Sequence, residues 1–599
     1  MAVSSRAVIA QLEHRSFSSS CCRRDPSDVL LANFPAKPVH LPSGGALSKD
    51  RRRGHSEVHK QKLFCVARLI NNQTRRRGCG TASLQNGLPA DEWHRSSPEN
   101  ALGPSIASQR RGQSDVRTLA AGEAASIEEA QLDEAALKVQ EGKRQIGLAL
   151  PIFGTQMVQL LLVLSSSVFV GRLGEFQLAV AQLGVSLGNA TGHYVVNGLA
   201  LGLETLCGQS YGGSELMEVG RTVQCALVVQ FVLAGVVSCL WLNSEPLLLA
   251  LNQEPALAAG AAKYLKYLIP GLMANACLQP LCKYLQSLEK PRPFAVCSAL
   301  ALALHVPTNW LLIHKWGLGL EGAAMATSIA YIVNLVLLAG YTVFSGVYKS
   351  SWPKWSLSSL KKTGPFLKLA VPSMIMLCLE YLTYDILIIW CGWLPNPTRT
   401  VAAFSVALNT AWLFATLYIG LSSALSTRVA TELGAKDVEG AKRVARVGMP
   451  LAAGFGLGSG LLLLAVHRWW PRIFIDRADV ALFKLTSQVI VMYAFVCIED
   501  CLSFNLGGIV RGLGRQDTGA AITFSSYYVV ALPLAWYFCF KRNMGVFGLL
   551  SGVGVGLLFQ VTALAAVVLT TDWQKMADLA SAAQALPEAD SSPGTLQGA

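Results

Sequence analysis

The sequence predicts an all-α polytopic membrane protein with twelve transmembrane helices in two pseudo-symmetric bundles of six. Two observations carry this prediction. First, 52% of the 599 residues are hydrophobic and only 15% are charged, whereas a soluble globular protein has about 25% charged residues. Second, residues 146–350 and 364–571 form an internal sequence repeat of two similar membrane halves.

The internal repeat is shown by matched residues of types that are uncommon in apolar helices and so rarely align by chance. Leu203-Glu204-Thr205 aligns with Leu425-Ser426-Thr427, and further pairs follow in order. They are Gly212 and Gly434, Glu215 and Asp437, Arg221 and Arg443, then at a slightly larger offset Pro307 and Pro533, Trp310 and Trp536, and Gly319 and Gly545. Matched prolines, tryptophans and loop charges favour duplication over chance similarity between Gly- and Leu-rich helices.

Each half contains six apolar stretches long enough to cross a bilayer, which takes about 20 residues. The predicted spans are 146–169, 178–201, 221–242, 262–285, 294–313, 320–344, 366–390, 401–424, 444–466, 485–510, 519–540 and 545–570. Because six is even, both halves enter the membrane from the same side. Two parallel halves around an axis normal to the membrane enclose a central cleft, as in secondary transporters.

Outside the spans the chain is organised around a basic leader. The predicted segments are a disordered Ser/Arg-rich leader (1–122), an amphipathic lead-in helix (123–145), a first half with the start of the linker (146–350), a linker (351–365), a second half (366–571) and a disordered tail (572–599). The leader holds 19 Lys and Arg against nine Asp and Glu. Arg- and Ser-rich, acid-poor sequence is typical of an organelle transit peptide; a retained cytosolic tail is the alternative. We expect the plastid envelope in the first case, and the plasma membrane or vacuolar membrane in the second.

Loop charges predict the orientation in the membrane. The loops on the leader's side carry more Lys and Arg than the opposite loops. Basic loops stay on the cytosolic side, so both termini are expected in the cytosol, or in the stroma if the protein is in a plastid.

Several kinds of chemistry are excluded by the sequence. The only Gly-Lys pair, Gly142-Lys143, lacks the flanking residues of a phosphate-binding loop. The Gly-rich stretches 454–460 and 552–556 lie inside apolar spans, where small residues let helices approach closely. Most cysteines also lie in spans and act as small hydrophobes. We therefore expect a protein that is not an enzyme, with no metal, no other cofactor and no nucleic acid partner, acting as a monomer in the lipid bilayer.

Acids at membrane depth are the strongest functional signal in the sequence. Glu380 and Asp385 lie in the seventh predicted span, and Asp500 lies in the tenth. An acid at the bilayer centre costs about 3 kcal/mol on insertion scales, so it calls for a reason. Burial disfavours the charged form of a carboxyl, which lets it exchange a proton near neutral pH. A structural carboxyl that holds helices together is the alternative for each of them.

The predicted cleft combines these acids with neutral polar side chains. Its substrate-facing residues are Gln156, Gln159, Asn189, His193, Asn197, Thr383 and Tyr384. The first half shows no mid-span acid, and Glu204 is expected at a helix end or in a loop. No span shows a clear central Lys or Arg, and His193 is the one mid-span histidine with polar neighbours.

Four motifs resemble those of the multidrug and toxic compound extrusion (MATE) transporters, specifically the plant DETOXIFICATION branch. In order they are Leu203-Glu204-Thr205-Leu206-Cys207-Gly208-Gln209-Ser210-Tyr211-Gly212, Cys378-Leu379-Glu380 after Ala370-Val371-Pro372, Arg428-Val429-Ala430-Thr431-Glu432-Leu433-Gly434-Ala435, and Gly508-Ile509-Val510-Arg511-Gly512-Leu513-Gly514-Arg515-Gln516. The resemblance covers about 140–571; the leader has no counterpart in the usual members.

The resemblance implies the MATE fold and the export of organic compounds in exchange for a cation, usually H⁺ in plants. By position, Glu380 and Asp500 correspond to the family's seventh-span and tenth-span acids. Asp385 stands where the branch commonly has Glu, and Tyr381-Leu382 replaces a common Trp-Trp pair. These departures leave the substrate open.

The resulting prediction is a proton-coupled antiporter that extrudes small organic compounds, either xenobiotics or secondary metabolites. Glu380, Asp500 and Asp385 are the predicted proton-coupling residues. Na⁺ coupling is the first alternative. A lipid or lipid-linked flippase is the second; it would favour a basic cleft, which the sequence does not show.

Overall fold

The computed structural model describes residues 105–584 except Asn252, Ser356 and 476–478. Side chains are described from Gln131 onward, apart from those at 175, 357–358 and 583–584. Most of the predicted leader and the residues after 584 therefore lie outside the described part of the chain.

The first half consists of helices joined by short turns. They are α1 (Ser105–Gly171), α2 (175–212), α3 (Leu216–Leu242), the short α4 (Ser244–Ala250), α5 (Pro255–Ser287), α6 (Arg292–Lys315) and α7 (Gly319–Phe344). In lipid every backbone N–H and C=O must be satisfied within the protein, and a helix achieves this within one segment.

The second half repeats this arrangement and adds a helix at its end. Its members are α8 (Thr363–Cys391), α9 (Pro397–Gly434), α10 (Val438–Val466), α11 (Val480–Gly512), α12 (Gln516–Lys541), α13 (Val546–Thr570) and α14 (Trp573–Gln584). We call the membrane face at which residues 345–362 connect the halves the linker side. The turns after α2, α5, α9 and α11 lie on that side.

Among the described helices, ten are long and apolar enough to cross a membrane. The remaining two passes of the six-and-six pattern are α2 and α5. Both are more polar because much of their surface is buried against other helices rather than exposed to lipid. The fold is thus the predicted all-α membrane fold of two six-helix halves.

The two halves share local irregularities at the spacing that the sequence repeat predicts. Ser214 and Lys436 both adopt positive φ, at 64° and 63°. A π-helical turn ends α6 at Leu311–Lys315, and a second one ends α12 at Tyr537–Lys541. Non-glycine residues with positive φ are uncommon, so their matched occurrence reflects a shared local fold.

Three predicted segment boundaries differ from the structure. The lead-in helix 123–145 is not separate, because α1 runs without a break from Ser105 to Gly171 and includes Pro151. For the same reason residues 105–122 of the predicted disordered leader are helical. The predicted disordered tail begins with α14, which buries Trp573, Ala577 and Ala580. The spacing of these three residues places them on one helix face.

The linker between the halves is packed against the first half. Tyr284 Oη and Ser351 Oγ are 2.6 Å apart. Gln224 donates to the Pro353 carbonyl at 2.8 Å and accepts from Ser359 Oγ at 2.9 Å. These bonds anchor the linker to the first half.

Close backbone contact between α2 and α9 joins the halves on the linker side. A Cβ atom on Gly212 would lie 1.9 Å from the Thr431 carbonyl oxygen, and one on Gly434 would lie 2.1 Å from the Gln209 carbonyl oxygen. These two contacts are related by the same sequence offset, so the crossing is reciprocal. Only glycine fits at both positions without moving the helices apart.

Candidate functional site in the central cavity

The central cavity lies between the two halves and has a volume of about 120 Å³. Helices α1, α2, α5 and α6 contribute to it from the first half; α8, α9, α11, α12 and α13 contribute from the second. Its lining is rich in amide, hydroxyl and charged side chains, among them Gln156, Gln159, Asn197, Gln279, Lys283, Gln286, Glu380, Ser422, Ser423, Ser503, Arg511 and Gln560. A polar lining at membrane depth fits a site that binds a polar ligand.

Glu380 is the predicted coupling acid that faces this cavity directly. It lies on α8, two turns beyond Pro372, which the helix accommodates internally. The neighbouring Tyr381 also lines the cavity and packs edge-on against Tyr194 and Trp412, with 4.6 Å between ring centroids in both pairs. These aromatic contacts hold this turn of α8 between α2 and α9.

Asp500 lies behind the cavity wall, on α11. Its side chain is 3% exposed and accepts a hydrogen bond from Tyr493 Oη at 3.2 Å. Asp500 and Glu380 are close enough to interact electrostatically, and both act on Tyr384 and Tyr527. The structure therefore brings these two acids and two phenols into one group.

The other predicted residues of α8 do not line the central cavity. Thr383 is fully buried and donates to the Leu379 carbonyl at 2.8 Å, and Tyr384 belongs to the apolar core of the second half. Asp385 is partly exposed and interacts with Tyr528. Thr383 and Tyr384 follow Glu380 by three and four residues and lie on nearly the same helix face, but packing buries both of them. Asp385 lies on another face, and the role predicted for it stays a prediction.

The first-half polar residues are divided between two cavities. Gln156, Gln159 and Asn197 line the central cavity. Asn189 and His193 line a smaller cavity of about 50 Å³ within the first half. Asn275 connects the two regions, since its amide nitrogen lies 3.3 Å from both His193 Nδ1 and Asn197 Oδ1.

His305 is a second mid-span histidine with polar neighbours, which the sequence interpretation missed. It is buried, and its Nε2 lies 2.9 Å from Ser166 Oγ and 2.8 Å from the Asn309 amide. Both Ser166 and Thr327, which are 3.3 Å apart, line the smaller cavity. His193 is therefore not the one mid-span histidine with polar neighbours, and that prediction was wrong.

A buried ion network at the linker-side end of the cavity was also missed. Glu204 is 1% exposed, and its Oε1 lies 2.6 Å from Lys283 Nζ and accepts from Ser423 Oγ. Its Oε2 lies 3.7 Å from Arg511 Nε, which is close enough for attraction but too long for a hydrogen bond. Glu204 is thus neither in a loop nor free at a helix end.

This network corrects two expectations from the sequence. Lys283 and Arg511 both line the central cavity, so the cleft contains two cationic side chains at its linker-side end, although both lie near helix ends rather than at the centre of a span. The first half is also not limited to neutral polar groups, because Glu204 and Lys283 belong to it. Lys283, near the end of the apolar fourth predicted span, was the signal that could have revealed this pair.

Further hydrogen bonds join the halves around the network. Gln286 donates to the Ser423 carbonyl at 3.1 Å and to Thr427 Oγ1 at 2.7 Å. Thr205 Oγ1 donates to the Arg511 carbonyl at 2.7 Å. Each of these bonds connects a first-half helix with α9 or α11, so together they close the cavity on the linker side.

A second ionic cluster lies nearer the membrane surface on the linker side. Arg428 is 2% exposed and pairs with Glu141 at 2.9 Å, with Glu289 at 3.1 Å and with Glu432. Arg144 also pairs with Glu289, at 2.6 Å. Arg428 belongs to the second half and two of its partners belong to the first, so the cluster adds a second layer of contacts between them.

Comparisons with known proteins agree with this architecture. The MatE family model matches residues 151–311 and 372–537, once in each half. Protein DETOXIFICATION 16 of Arabidopsis thaliana is 34% identical over 473 residues, which cover 79% of this chain and 95% of that protein.

Solved structures match over a similar share of the chain. The eukaryotic MATE transporter AtDTX14 superposes with a TM-score of 0.71 at 31% identity, covering 74% of this chain and 99% of that one. A mutant of the Vibrio cholerae MATE transporter VcmN shares the fold with a TM-score of 0.67 at 16% identity, covering 73% and 99%. With two matches to the family model and relatives above 30% identity along nearly their whole length, the chain belongs to the MATE family of multi-pass membrane transporters, which are not enzymes.

Proposed function

We propose that this transporter is a proton-coupled antiporter that exports small organic compounds, and that Glu380 and Asp500 carry the coupling proton. Membership of the MATE family supports an efflux transporter of organic compounds that uses a coupling ion. The coupling ion and the residues are our proposal. One observation carries it: Glu380 faces the central cavity while Asp500 lies buried close behind it.

The chemistry of this pair suits proton exchange. When two carboxyl groups interact in a site of low dielectric, a shared proton relieves their repulsion. A substrate that enters the cavity approaches Glu380 and favours one charge state of that group over the other. Proton binding and substrate binding are thereby linked, as an exchanger requires.

Transport assays in proteoliposomes test this proposal. Wild-type protein should drive uphill movement of a labelled organic compound under an imposed pH gradient, and Glu380→Gln should abolish it, because the amide is nearly isosteric and does not titrate. Glu321→Gln, which changes an acid at the opposite end of the first half, is the matched control. Wild-type transport by Glu380→Gln would overturn the role of Glu380.

The same assay distinguishes the coupling ion. A Na⁺ gradient at equal pH on both sides should drive no transport in the wild type. Transport driven by Na⁺ alone would replace the proton with Na⁺ in this proposal.

A lipid flippase is the second candidate, because Lys283 and Arg511 give the cavity two cationic side chains. Both cations interact with Glu204, however, so the network offers an anionic headgroup less positive charge than two free cations would. Movement of fluorescent phospholipid between leaflets, at a rate that Glu380→Gln does not change, would favour the flippase.

The membrane in which the protein resides is also a proposal. The basic leader supports the plastid envelope, and a retained leader would favour the plasma membrane or the vacuolar membrane. Residues 1–104 of this leader lie outside the described residues.

A further inference from the structure

The Glu204 network is arranged so that the halves can part without leaving a buried charge alone. Lys283 belongs to the first half with Glu204, and their 2.6 Å ion pair lies within that half. Arg511 donates to Ser422 Oγ at 3.0 Å within the second half. When the halves separate, Glu204 loses its contacts with Ser423 and Arg511, and Lys283 and Gln286 lose their hydrogen bonds to α9.

This arrangement differs from that of an ordinary structural ion pair. Removing one partner from a buried pair leaves an uncompensated charge, which is strongly destabilising. Here each charge keeps at least one polar partner from its own half. The contact across the interface can therefore break and re-form at modest cost.

Arg511 also connects this contact with the coupling site. It lines the cavity, lies 3.7 Å from Glu204 and interacts electrostatically with Glu380. Among the described residues, the charged and titratable groups that act on or beside Glu380 are Asp500 and Arg511 of α11, Tyr381 and Tyr384 of α8, Tyr527 of α12 and, across the cavity, Lys283 of α5. Among these groups, Arg511 is the residue that also contacts a carboxylate across the interface, that of Glu204 in the first half.

We propose that Arg511 is a positioning residue that exchanges carboxylate partners during transport, sharing Glu204 across the interface when the linker side is closed and retaining only Glu380 when it opens. This inference deepens the proposed function and rests on it. We call the contact of Glu204 and Lys283 with Ser423 and Arg511 the linker-side gate.

The charge state of Glu380 then controls the gate. When the halves part, Glu204 leaves with the first half, and Arg511 keeps a nearby carboxylate partner only if Glu380 is ionised. Ionised Glu380 therefore favours the open gate, and protonated Glu380 favours the closed gate. Asp500 lies on α11 with Arg511 and moves with it, so it does not distinguish the two states.

By reciprocity, opening the gate must favour the ionised form of Glu380. A proton taken up from the opposite side of the membrane is then released on the linker side. This is the direction of proton flow that drives export from the linker side.

Distance measurements between spin labels test the gate directly. Ser214→Cys and Lys436→Cys, in a background without the native cysteines, place labels on two exposed, matched linker-side turns, one in each half. In lipid nanodiscs without substrate, the ratio of long to short distances should rise with pH, by up to about tenfold per pH unit for one linked proton.

Variants separate the proposed relay from a merely structural role. Glu380→Gln should keep the short distance at every pH. Arg511→Gln should reduce the response to less than about twofold across the same range, and Arg511→Lys should restore it. Ser423→Ala keeps all charges and removes a bond across the gate, so it should shift the ratio toward long distances while preserving the pH response.

Lys442→Gln is the matched control, because Lys442 is a linker-side cation that pairs with Glu439 inside the second half, at 2.8 Å. It should behave as the wild type does. A wild-type pH response in Arg511→Gln, or no pH response in the wild type, would overturn the inference. The proposed function fails separately, if wild-type transport does not respond to a pH gradient.

Discussion

Glu204 Oε1 and Lys283 Nζ lie 2.6 Å apart inside the first half, although 79 residues separate them in the chain. The pair is almost completely removed from water, and Glu204 also accepts from Ser423 of the second half. This one ion pair therefore belongs both to the packing of the first half and to its contact with the second.

Replacement of Glu204 should destabilise the protein strongly. Glu204→Gln leaves Lys283 and Arg511 as neighbouring buried cations, and breaking a buried pair in this way costs about 3–5 kcal/mol. The loss should appear as a lower thermal unfolding temperature in detergent. Adding Lys283→Gln should recover part of it, because one uncompensated cation is removed.

The control for this prediction is Glu321→Gln, which breaks the exposed pair of Glu321 with Lys263. Exposed pairs contribute at most about 1 kcal/mol, so this variant should unfold close to the wild-type temperature. Equal losses in Glu204→Gln and Glu321→Gln would contradict the importance assigned to burial.

Asp500→Asn should flatten or shift the pH dependence of transport. The change removes one of two carboxyl groups that interact across the cavity wall, so the remaining group titrates without its partner. Transport rates over a series of pH values measure the effect. Glu321→Gln is the control, because Glu321 pairs with Lys263 away from both acids; an equal change in both variants would argue against a specific role for Asp500.

The helices, the repeat and the two acids can be predicted from the sequence because each leaves a local signal. Apolar runs of bilayer length predict spans, and Glu380 and Asp500 interrupt such runs. The gate leaves no signal of this kind: Ser423 lies 219 residues from Glu204, and no periodicity reports which helices pack together.

Helix irregularity explains another difference between sequence and structure. The sequence predicts that Asn189, His193 and Asn197 face one cleft, whereas in the structure they line two cavities. The π-helical turn at Asn189–His193 adds a residue to that turn of α2 and shifts the faces before and after it. Asn189 and His193, within this turn, line the smaller cavity, whereas Asn197, in the regular helix that follows, lines the central cavity.

Gln159→Ala and Asn197→Ala should weaken apparent substrate affinity while leaving the pH profile of transport largely unchanged. Both side chains line the central cavity and neither titrates. Concentration dependence of transport measures the affinity. Asn189→Ala removes a similar amide from the smaller cavity and should leave the affinity as it is; equal weakening would place the substrate in that cavity as well.

A fusion of residues 1–122 to a fluorescent reporter should enter plastids. The segment is rich in Arg and Ser and poor in acids, which is typical of transit peptides. Fluorescence microscopy in plant cells measures the outcome, and a variant with 51–53 and 75–77 changed from Arg to Glu is the control that should remain in the cytosol. Diffuse signal from the unchanged fusion would instead support a retained tail.

Gly212→Ala and Gly434→Ala should each push the halves apart on the linker side. The added methyl group would lie 1.9 Å and 2.1 Å from a backbone oxygen of the facing helix, and backbone cannot swing away as a flexible side chain can. Thermal unfolding temperature should fall, and spin labels at Ser214 and Lys436 should report longer distances.

Gly235→Ala and Gly454→Ala are matched controls, because a Cβ at either position has no neighbour within 4 Å. Alanine is favoured over glycine by about 1 kcal/mol within a helix, so the controls should be as stable as the wild type or slightly more so. Wild-type stability and distances in Gly434→Ala would show that the crossing of α2 and α9 tolerates separation, and that the contact between Gly434 and Gln209 does not hold the linker side closed.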